Sequence, residues 1–304
     1  MGRGEILQTD AERISVLFRE ILKQEKCTVS ERLGGLTNHT YRVVSEEKEY
    51  VVRIPGDGTE ELISRSDEEV STGLACELGI DAGLIYFGSD GTKISEYIND
   101  GITMNAESMT DVDNIRKAAR IFRTLHGSGR DTGVSFEVFE MATGYEAVIR
   151  EHDVVLFDDY QEVKNEVIKL KADVDRRFGI CRVPCHNDPL CENWILGGER
   201  MYLIDWEYAG MNDGMWDLAD LSIEAGYTSD QDKALLTAYF NEAPDGDDML
   251  HFMANKVFVD FLWTLWAKTR VPYDGQSMED WAGSRYRRLK ANIAVAKAMS
   301  GTAL

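Results

Sequence analysis

The sequence predicts an α+β protein of two lobes: a small N-terminal lobe with a five-stranded antiparallel sheet and one main helix, and a larger, mostly helical C-terminal lobe. Short runs rich in β-branched residues alternate with turn residues up to residue 98. Beyond residue 100 the apolar residues follow a helical period. A chain of 304 residues with 43% hydrophobic content can fill two lobes, which we place at 1–98 and 99–304.

The individual elements follow from periodicity in chain order. An apolar stripe between Ile14 and Leu22 predicts a first helix. The predicted strands are 29–33, 40–44, 50–54, 84–87 and 93–98, with a helix at 66–78 between the third and fourth strands. Helices at 112–126 and 160–178 belong to the second lobe. His126 ends the first of these two helices, and we expect it to be structural.

The amino-acid composition indicates which kinds of molecule this protein binds. The chain has 54 acidic and 33 basic side chains, a formal net charge of −21. This excess argues against nucleic acid and anionic membranes, because both recruit basic patches, and it favours a small cationic substrate. The N-terminus lacks an apolar signal core, and no run of about 18 apolar residues occurs, so we expect neither export nor membrane insertion. Five cysteines without a CxxC pair indicate a reduced, cytoplasmic protein.

The segment 182–227 carries the pattern that points to chemistry. Asp188 lies in a turn-rich loop, Asn193 follows five residues later, and Asp205 ends a short apolar strand. Phosphoryl transfer needs one carboxylate to orient the attacking hydroxyl and accept its proton, and oxygen ligands to hold Mg²⁺ against the phosphates. Asp188 fits the first role, and Asn193 and Asp205 fit the second. The segment 187–189 could be only a turn, but the added Asn and Asp favour the functional interpretation.

Three segments within this stretch also carry a family resemblance. Residues 186–188 read HND, residues 204–208 read IDWEY, and residues 216–219 read WDLA. Together they resemble the choline/ethanolamine kinase family, which belongs with the aminoglycoside phosphotransferases and shares the protein-kinase-like fold. The resemblance covers nearly the whole chain. It implies an ATP- and Mg²⁺-dependent kinase, with His186 and Asp217 supporting the catalytic loop.

The resemblance also implies a nucleotide site in the N-terminal lobe. A Gly-Gly turn alone is often only a hairpin, but this one lies one hairpin before Arg53, where related kinases place a basic residue on the phosphates. Glu69 stands where a helix glutamate would orient that residue; Glu68 is a close alternative, and both could be a solvated acidic face. An extended hinge would bind adenine through its backbone. The expected nucleotide contacts are Gly34, Gly35, Thr37, Asn38, Arg53, Glu69, Glu96 and Ile98.

A group of tryptophans suggests the acceptor. Trp263 and Trp266 are three residues apart and share a helical face, which usually indicates core packing. The family resemblance instead implies that these two residues, Trp281 and Glu224 surround a quaternary ammonium group, with Asp188 nearby. Ring faces attract such a cation by roughly 0.5–2 kcal/mol each.

The function favoured by these observations is phosphorylation of a small amino alcohol, choline first. Ethanolamine is the nearest alternative acceptor, followed by aminoglycosides and other small molecules. A catalytically silent nucleotide-binding protein is a fourth possibility, although such a protein would be expected to have lost Asp188 or Asp205. The pattern of residues does not determine the oligomeric state.

Overall fold

The computed structural model describes residues 6–34, 38–56 and 64–301. The helices in these ranges are α1 (Gln8–Leu17), α2 (Arg65–Glu77), α3 (Ala106–Met109), α4 (Val112–His126), α5 (Val138–Glu151), α6 (Tyr160–Phe178), α7 (Gly214–Glu224), α8 (Ser229–Phe240), α9 (Gly246–Asp274) and α10 (Gln276–Ser300). The strands are β1 (Thr28–Gly34), β2 (Asn38–Ser45), β3 (Lys48–Pro55), β4 (Leu84–Phe87), β5 (Lys93–Glu96), β6 (Gly101–Thr103), β7 (Val183–Cys185), β8 (Trp194–Gly197), β9 (Arg200–Leu203) and β10 (Gly210–Asn212).

Internal contacts divide the chain into two compact units. The first unit comprises Met1–Thr103 and Asn193–Ala209, and the second comprises Met104–Glu192 and Gly210–Leu304. The sequence-based division after residue 98 assigned 193–209 to the helical part. The contacts differ because β8 pairs with both β6 and β9, and this small sheet belongs with the first unit.

The main sheet of the first unit has the strand order β1-β2-β3-β5-β4, with antiparallel neighbours throughout its described residues. Side chains alternate between the two faces of a strand. Tyr41 therefore lies opposite Val52, which in turn lies opposite Ile94, and all three are buried on one face. The five-stranded antiparallel sheet and the mostly helical remainder predicted from the sequence are confirmed.

Helix α1 covers the buried face of this sheet. Its Ile14 is completely buried, and Phe18, in the π-helical turn Phe18–Leu22 that follows, packs edge-on against Tyr50 with ring centroids 5.3 Å apart. The carboxylate of Asp10 accepts a hydrogen bond of 2.6 Å from the Tyr41 hydroxyl. Burying each of the two apolar side chains contributes about 1.5–3 kcal/mol.

The second unit is largely helical, and two features position its functional residues. Strand β7 pairs with β10, with Cys185 opposite Gly210, and leads directly into the 186–188 segment. Helix α7 begins where Asp213 Oδ1 accepts a hydrogen bond from the backbone N–H of Met215, and its first two turns are buried. No helix in the described ranges is long and apolar enough to cross a bilayer. All five cysteines are free thiols.

Candidate active site

The loop that carries Asp188 is held by the start of α7. The Asp217 carboxylate is completely buried and accepts hydrogen bonds from the backbone N–H groups of His186, at 2.8 Å, and Asn187, at 2.7 Å. Asn187 has a φ of 67°, in the left-handed region that Asn tolerates better than most residues. The Asp217 carboxylate therefore stabilises an unusual backbone conformation immediately before Asp188.

Side chains hold the same loop. The Asn187 side-chain oxygen accepts a hydrogen bond of 2.9 Å from Asn212, and its backbone carbonyl accepts one of 2.9 Å from the Trp216 indole N–H. The backbone N–H of Asp188 lies 3.3 Å from His186 Nδ1 and donates to it. Loss of any one buried bond would leave a polar group unpaired, which costs about 1–3 kcal/mol.

His126 belongs to this network, although the sequence suggested only a helix-end role. Its Nε2 lies 3.0 Å from Asp217 Oδ2, and its Nδ1 lies 2.9 Å from the Tyr239 hydroxyl. A carboxylate only accepts, so Nε2 donates and Nδ1 accepts from the phenol.

His126, Cys185 and Asp217 are close enough to share a metal ion. Because the imidazole and carboxylate are already hydrogen-bonded and burial raises the pKa of the thiol well above its usual value, we assign the set a structural role.

Asp188 is partly buried and influences two neighbouring groups. Burial raises the pKa of the Tyr145 hydroxyl, and the charge of Asp188 raises it further. Burial and the charge of Glu224 raise the pKa of the buried Asp220 carboxyl, and the charge of Asp188 adds a smaller rise. The candidate base therefore has a neutral phenol and a second carboxyl group within electrostatic reach.

The first unit has a separate cluster of charges around Arg53 on β3. This side chain is almost completely buried and forms an ion pair with Glu68 on α2. Its Nη1 lies 3.2 Å from Glu207 and 3.6 Å from Asp205, and its Nη2 donates to the Gly91 carbonyl at 2.9 Å. Burial opposes the charge of Arg53, but the Glu68 carboxylate outweighs this effect and raises its pKa. Arg53 is thus a permanently charged, preoriented cation.

The ion pair of Arg53 corrects the assignment of Glu69. Glu69 is exposed, and its neighbour Glu68 is the partner. Residues three apart share a helix face; Arg65 and Glu68 do so on the buried face of α2, where they form an ion pair of 2.8 Å. The next residue is rotated by about 100° around the helix, so Glu69 lies on the solvent side.

Glu207 is a central member of the cluster that sequence reasoning missed. One carboxylate oxygen, Oε1, accepts from Asn38 at 2.9 Å, from Arg65 at 2.8 Å and from Arg53 at 3.2 Å. Burial raises the pKa of Glu207, and the negative charge of Asp205 adds to this rise. Asn38, expected to contact the nucleotide, is therefore bonded here to an acidic side chain.

The same cluster offers oxygen ligands for a divalent cation. Carboxylate oxygens of Glu68, Asp205 and Glu207 all lie within 4.8 Å of one another. Asp205 has a φ of 70°, and its buried Oδ1 has no hydrogen-bond partner in the described part of the chain. The backbone N–H of Ile204 donates to the Asn193 carbonyl at 2.9 Å, which holds Asn193 near the end of β9. Because Glu68 and Glu207 are already paired with arginines, the oxygen donors that fit Mg²⁺ here are those of Asp205 and Asn193.

The expected phosphate-binding turn is described only in part. Gly34 ends β1 and pairs with Thr40 across the hairpin, after a register shift. Asn38 begins β2. Gly35 and Thr37 lie outside the described residues, so their roles stay predictions.

The expected hinge residues are engaged within the first unit. The backbone N–H of Glu96 donates to the Gly83 carbonyl at 2.8 Å, and the Ile98 carbonyl accepts from Gly101 at 3.1 Å. A carbonyl oxygen has two lone pairs and can accept a second bond. The Ile98 carbonyl therefore keeps one acceptor position for the predicted adenine contact, whereas the Glu96 amide already donates to Gly83.

Three tryptophans of α9 and α10 form one cluster in the second unit. The ring centroids of Trp263 and Trp266 are 6.2 Å apart, and those of Trp266 and Trp281 are 6.0 Å apart, with edge-to-face geometry in both pairs. Trp263 is buried, whereas the other two are partly exposed. The Trp263 indole N–H donates to Asp220 Oδ2 at 3.2 Å. The tryptophan cluster is therefore anchored at one end and accessible at the other.

Glu224 lies beside this cluster but is already paired. It forms an ion pair with Arg285, whose guanidinium carbon lies 4.1 Å from the centroid of the Trp281 ring. A cavity of roughly 210 Å³ opens here, lined by Ile223, Glu224, Trp281, Ser284, Arg285 and Arg288. The region thus combines aromatic rings with charges of both signs.

Comparison with known proteins places this geometry in a family. The sequence model of choline/ethanolamine kinase matches residues 29–266, well over half of the chain. This chain belongs to the choline/ethanolamine kinase family. It is a phosphotransferase that acts on an alcohol group. The resemblance inferred from the HND, IDWEY and WDLA segments is thereby confirmed.

Several relatives match this kinase over most of both chains. Protein LicA of Haemophilus influenzae is 24% identical over 257 residues, 82% of this chain and 96% of the relative. A choline/ethanolamine kinase family protein from Mesorhizobium loti is 31% identical with a TM-score of 0.82, covering 96% of this chain and 100% of that one. Choline kinase LicA from Streptococcus pneumoniae is 31% identical with a TM-score of 0.78, covering 95% and 100%. A spectinomycin phosphotransferase, 12% identical with a TM-score of 0.60, shares the fold.

Some site residues of the kinase were not assigned from the sequence: His126, Asn187, Glu207, Asp220 and Arg285. Two of these carried a usable signal. Glu207 follows Asp205 by two residues, so both belong to one short acidic segment. Asp220 precedes Glu224 by four residues, which places the two carboxyl groups on the same face of α7.

Proposed function

We propose that this kinase transfers the γ-phosphoryl group of ATP to the hydroxyl group of choline in a Mg²⁺-dependent reaction. The observation that carries the proposal is the tryptophan cluster, which lies in the same unit as Asp188. A trimethylammonium group has no N–H donors, so a protein must recognise it through ring faces, apolar contact and nearby negative charge. Choline kinase LicA from Streptococcus pneumoniae, 31% identical to this chain, supports the same acceptor.

Asp188 acts as the base in this proposal. It orients the choline hydroxyl and accepts its proton as the bond to phosphorus forms. The bonds from Asp217 and from the side chains around Asn187 fix the loop, so that little reorganisation is needed on substrate binding. The neutral Tyr145 hydroxyl adds no competing negative charge beside the base.

The first unit provides the nucleotide residues. Arg53, held by Glu68, carries a charge that suits the α- and β-phosphates. Asp205 and Asn193 would hold Mg²⁺, which when bound would neutralise charge on the phosphates. A solved structure of LicA in complex with AMP, 30% identical to this chain with a TM-score of 0.77, supports nucleotide binding by this fold.

Ethanolamine is the second candidate acceptor, and one observation favours it. Asp220 and Glu224 place two carboxyl groups beside the tryptophans, and a primary ammonium group needs acceptors of this kind. Choline and ethanolamine are both amino alcohols, so their rates of phosphorylation must be compared directly.

The experiment is a coupled assay of ADP formation with choline, ethanolamine and an aminoglycoside, each with Mg²⁺ and with excess EDTA. We expect kcat/KM for choline to exceed that for ethanolamine by roughly tenfold, as one well-formed recognition contact is worth, and EDTA to abolish turnover. Asp188→Asn serves as the inactive control. A higher kcat/KM for ethanolamine would reverse the order of the two acceptors, and turnover of the aminoglycoside alone would contradict the proposal.

A further inference from the structure

Two arginines of α10 form ion pairs with two carboxylates beside the tryptophan cluster. Arg285 forms an ion pair with Glu224, and its Nη1 lies 3.3 Å from Asp260 Oδ1. Arg288 donates to both oxygens of Asp260, from Nε at 2.8 Å and from Nη2 at 2.6 Å. The two guanidinium groups are thus matched by two carboxylates, and neither acid is free to compensate an incoming charge.

A third acidic group in the same region is not matched. Asp220 lies one helical turn before Glu224 on α7 and is 1% exposed. Its Oδ2 accepts the indole N–H of Trp263, whereas its Oδ1 has no hydrogen-bond partner among the described residues. Asp220 also forms no ion pair with any side chain in the described ranges. It is therefore a buried carboxyl group that is bonded to one tryptophan of the cluster and has no ion-pair partner in the described part of the chain.

The charged groups around Asp220 change the pKa of its carboxyl group. Burial raises its pKa well above the usual range, the charges of Glu224 and Asp188 raise it further, and Arg285 opposes this rise. The nearby Cys191 is a neutral thiol, because burial raises its pKa to about 12. With Asp220 protonated, the charges of Arg285 and Arg288 are balanced by those of Glu224 and Asp260.

We propose that Asp220 is the carboxyl group that compensates the ammonium charge of the bound amino alcohol, and that substrate binding displaces its proton to solvent. This inference rests on the proposed function and names the residue that gives it charge selectivity. Binding adds one positive charge and converts Asp220 from COOH to COO⁻ with release of one H⁺. The net charge of the region is thereby unchanged.

Glu224, the acid expected from the family resemblance, is poorly suited to this role. If Glu224 paired with the substrate, it would lose its ion pair with Arg285. The buried charge of Arg285 would then be uncompensated, which is strongly destabilising. Asp220 forms no ion pair with the residues that the structure describes, so no such pair would be broken. Its bond to Trp263 also joins the negative charge to an aromatic wall, so the ring and the carboxylate can act on the same cation.

The test compares charged and neutral acceptors in the intact enzyme. Asp220→Asn keeps an oxygen that can accept from Trp263 but removes the charge. Choline is paired with 3,3-dimethylbutan-1-ol, which has the same shape and no charge. We expect the variant to raise the KM for choline by roughly tenfold or more, the loss of a partly buried charge contact, while the KM for the neutral alcohol changes little.

Calorimetric titration with choline in buffers of different ionisation enthalpy counts the protons released. We expect the wild type to release up to one proton per choline at pH values where Asp220 is protonated. Release declines and affinity rises as pH increases through the pKa of the free enzyme. Asp220→Asn should bind choline without this linkage. Equal losses for both alcohols, or proton release that persists in the variant, would overturn the inference.

Glu224→Gln is the matched control, because it also removes one charge from α7. We expect it to lower the melting temperature by releasing Arg285, and to move the proton release to lower pH without abolishing it, because the charge of Glu224 raises the pKa of Asp220. If the wild type uses ethanolamine instead of choline, the same comparison is made with ethanolamine and propan-1-ol. A wild type that phosphorylates neither amino alcohol contradicts the proposed function. An active enzyme in which Asp220→Asn does not separate charged from neutral acceptors contradicts only the assignment of Asp220.

Discussion

Arg53 on β3 and Glu68 on α2 form an ion pair that is almost completely buried in the first unit. The pair is embedded among further charges, since Arg65 bonds to Glu68 and Glu207 bonds to both arginines. A buried pair of this kind fixes direction more than it adds stability, because desolvation consumes much of the Coulomb attraction. In a kinase, such a pair holds the guanidinium group of Arg53 in one orientation.

The ion pair leads to the first prediction. Glu68→Gln should lower stability by about 3–5 kcal/mol, the usual cost of removing one partner from a buried pair, and should raise the KM for ATP. Glu69→Gln provides a matched control one residue away, because Glu69 is exposed. Thermal denaturation and steady-state kinetics measure both effects. The assignment fails if the Glu69 variant loses ATP affinity and the Glu68 variant does not.

The second prediction concerns Asp188. Asp188→Asn should reduce kcat by about 10²–10⁴-fold, the usual contribution of a general base, and should leave nucleotide affinity nearly intact. The amide preserves the size of the side chain, so the loop held by Asp217 should not rearrange. Steady-state kinetics and calorimetric titration with a non-hydrolysable nucleotide give the two quantities. A variant with near-normal kcat for every amino alcohol would show that another group accepts the proton.

The third prediction concerns the metal. Asp205→Ala should weaken Mg²⁺-dependent nucleotide binding as well as turnover, because it removes a direct carboxylate ligand. Asn193→Ala should have a smaller effect, since an amide has no formal charge to lose. Titration of the nucleotide at several Mg²⁺ concentrations measures the dependence. An unchanged Mg²⁺ dependence in Asp205→Ala would exclude this residue as a ligand.

The fourth prediction separates choline recognition from core packing. Trp266→Ala should raise the KM for choline by roughly ten- to a hundredfold, through lost cation–π attraction and contact area. Trp266→Phe keeps a ring and should retain most of the affinity. Ethanolamine should be affected less, because hydrogen-bond acceptors carry its recognition. If both variants lower the melting temperature equally and leave the ratio of the two KM values unchanged, the residue belongs to the core.

The structural bracing of the catalytic loop provides a fifth prediction. Asp217→Asn replaces an oxygen that accepts from backbone N–H groups with an NH₂ group that can only donate. We expect a loss of about 1–3 kcal/mol of stability for each buried donor left unpaired, and a lower kcat with little change in the KM for ATP. His126→Gln should give a milder version of the same effect. A full loss of nucleotide affinity in either variant would argue against an effect confined to the loop.

Much of this protein could be predicted from local patterns. The five strands were found because alternation and turn residues are local properties, and the bounds of β4 match residue for residue. The spacing of Asp188, Asn193 and Asp205 was sufficient to predict phosphoryl transfer because one short stretch of sequence contains a proton acceptor and two oxygen ligands. The family assignment followed from the same stretch.

Tertiary structure decided what depends on neighbours far apart in the chain. Two adjacent glutamates on α2 are equivalent in composition, and only the packing of that helix determines that Glu68, rather than Glu69, meets Arg53. The role proposed for Asp220 depends on the ion pairs that Arg285 and Arg288 form with Glu224 and Asp260, and these pairs require the packing of three helices. Sequence thus determined which chemical groups are available. Burial and pairing determined which of them remain free to act, because the cost of an unpaired buried charge depends on every side chain that surrounds it.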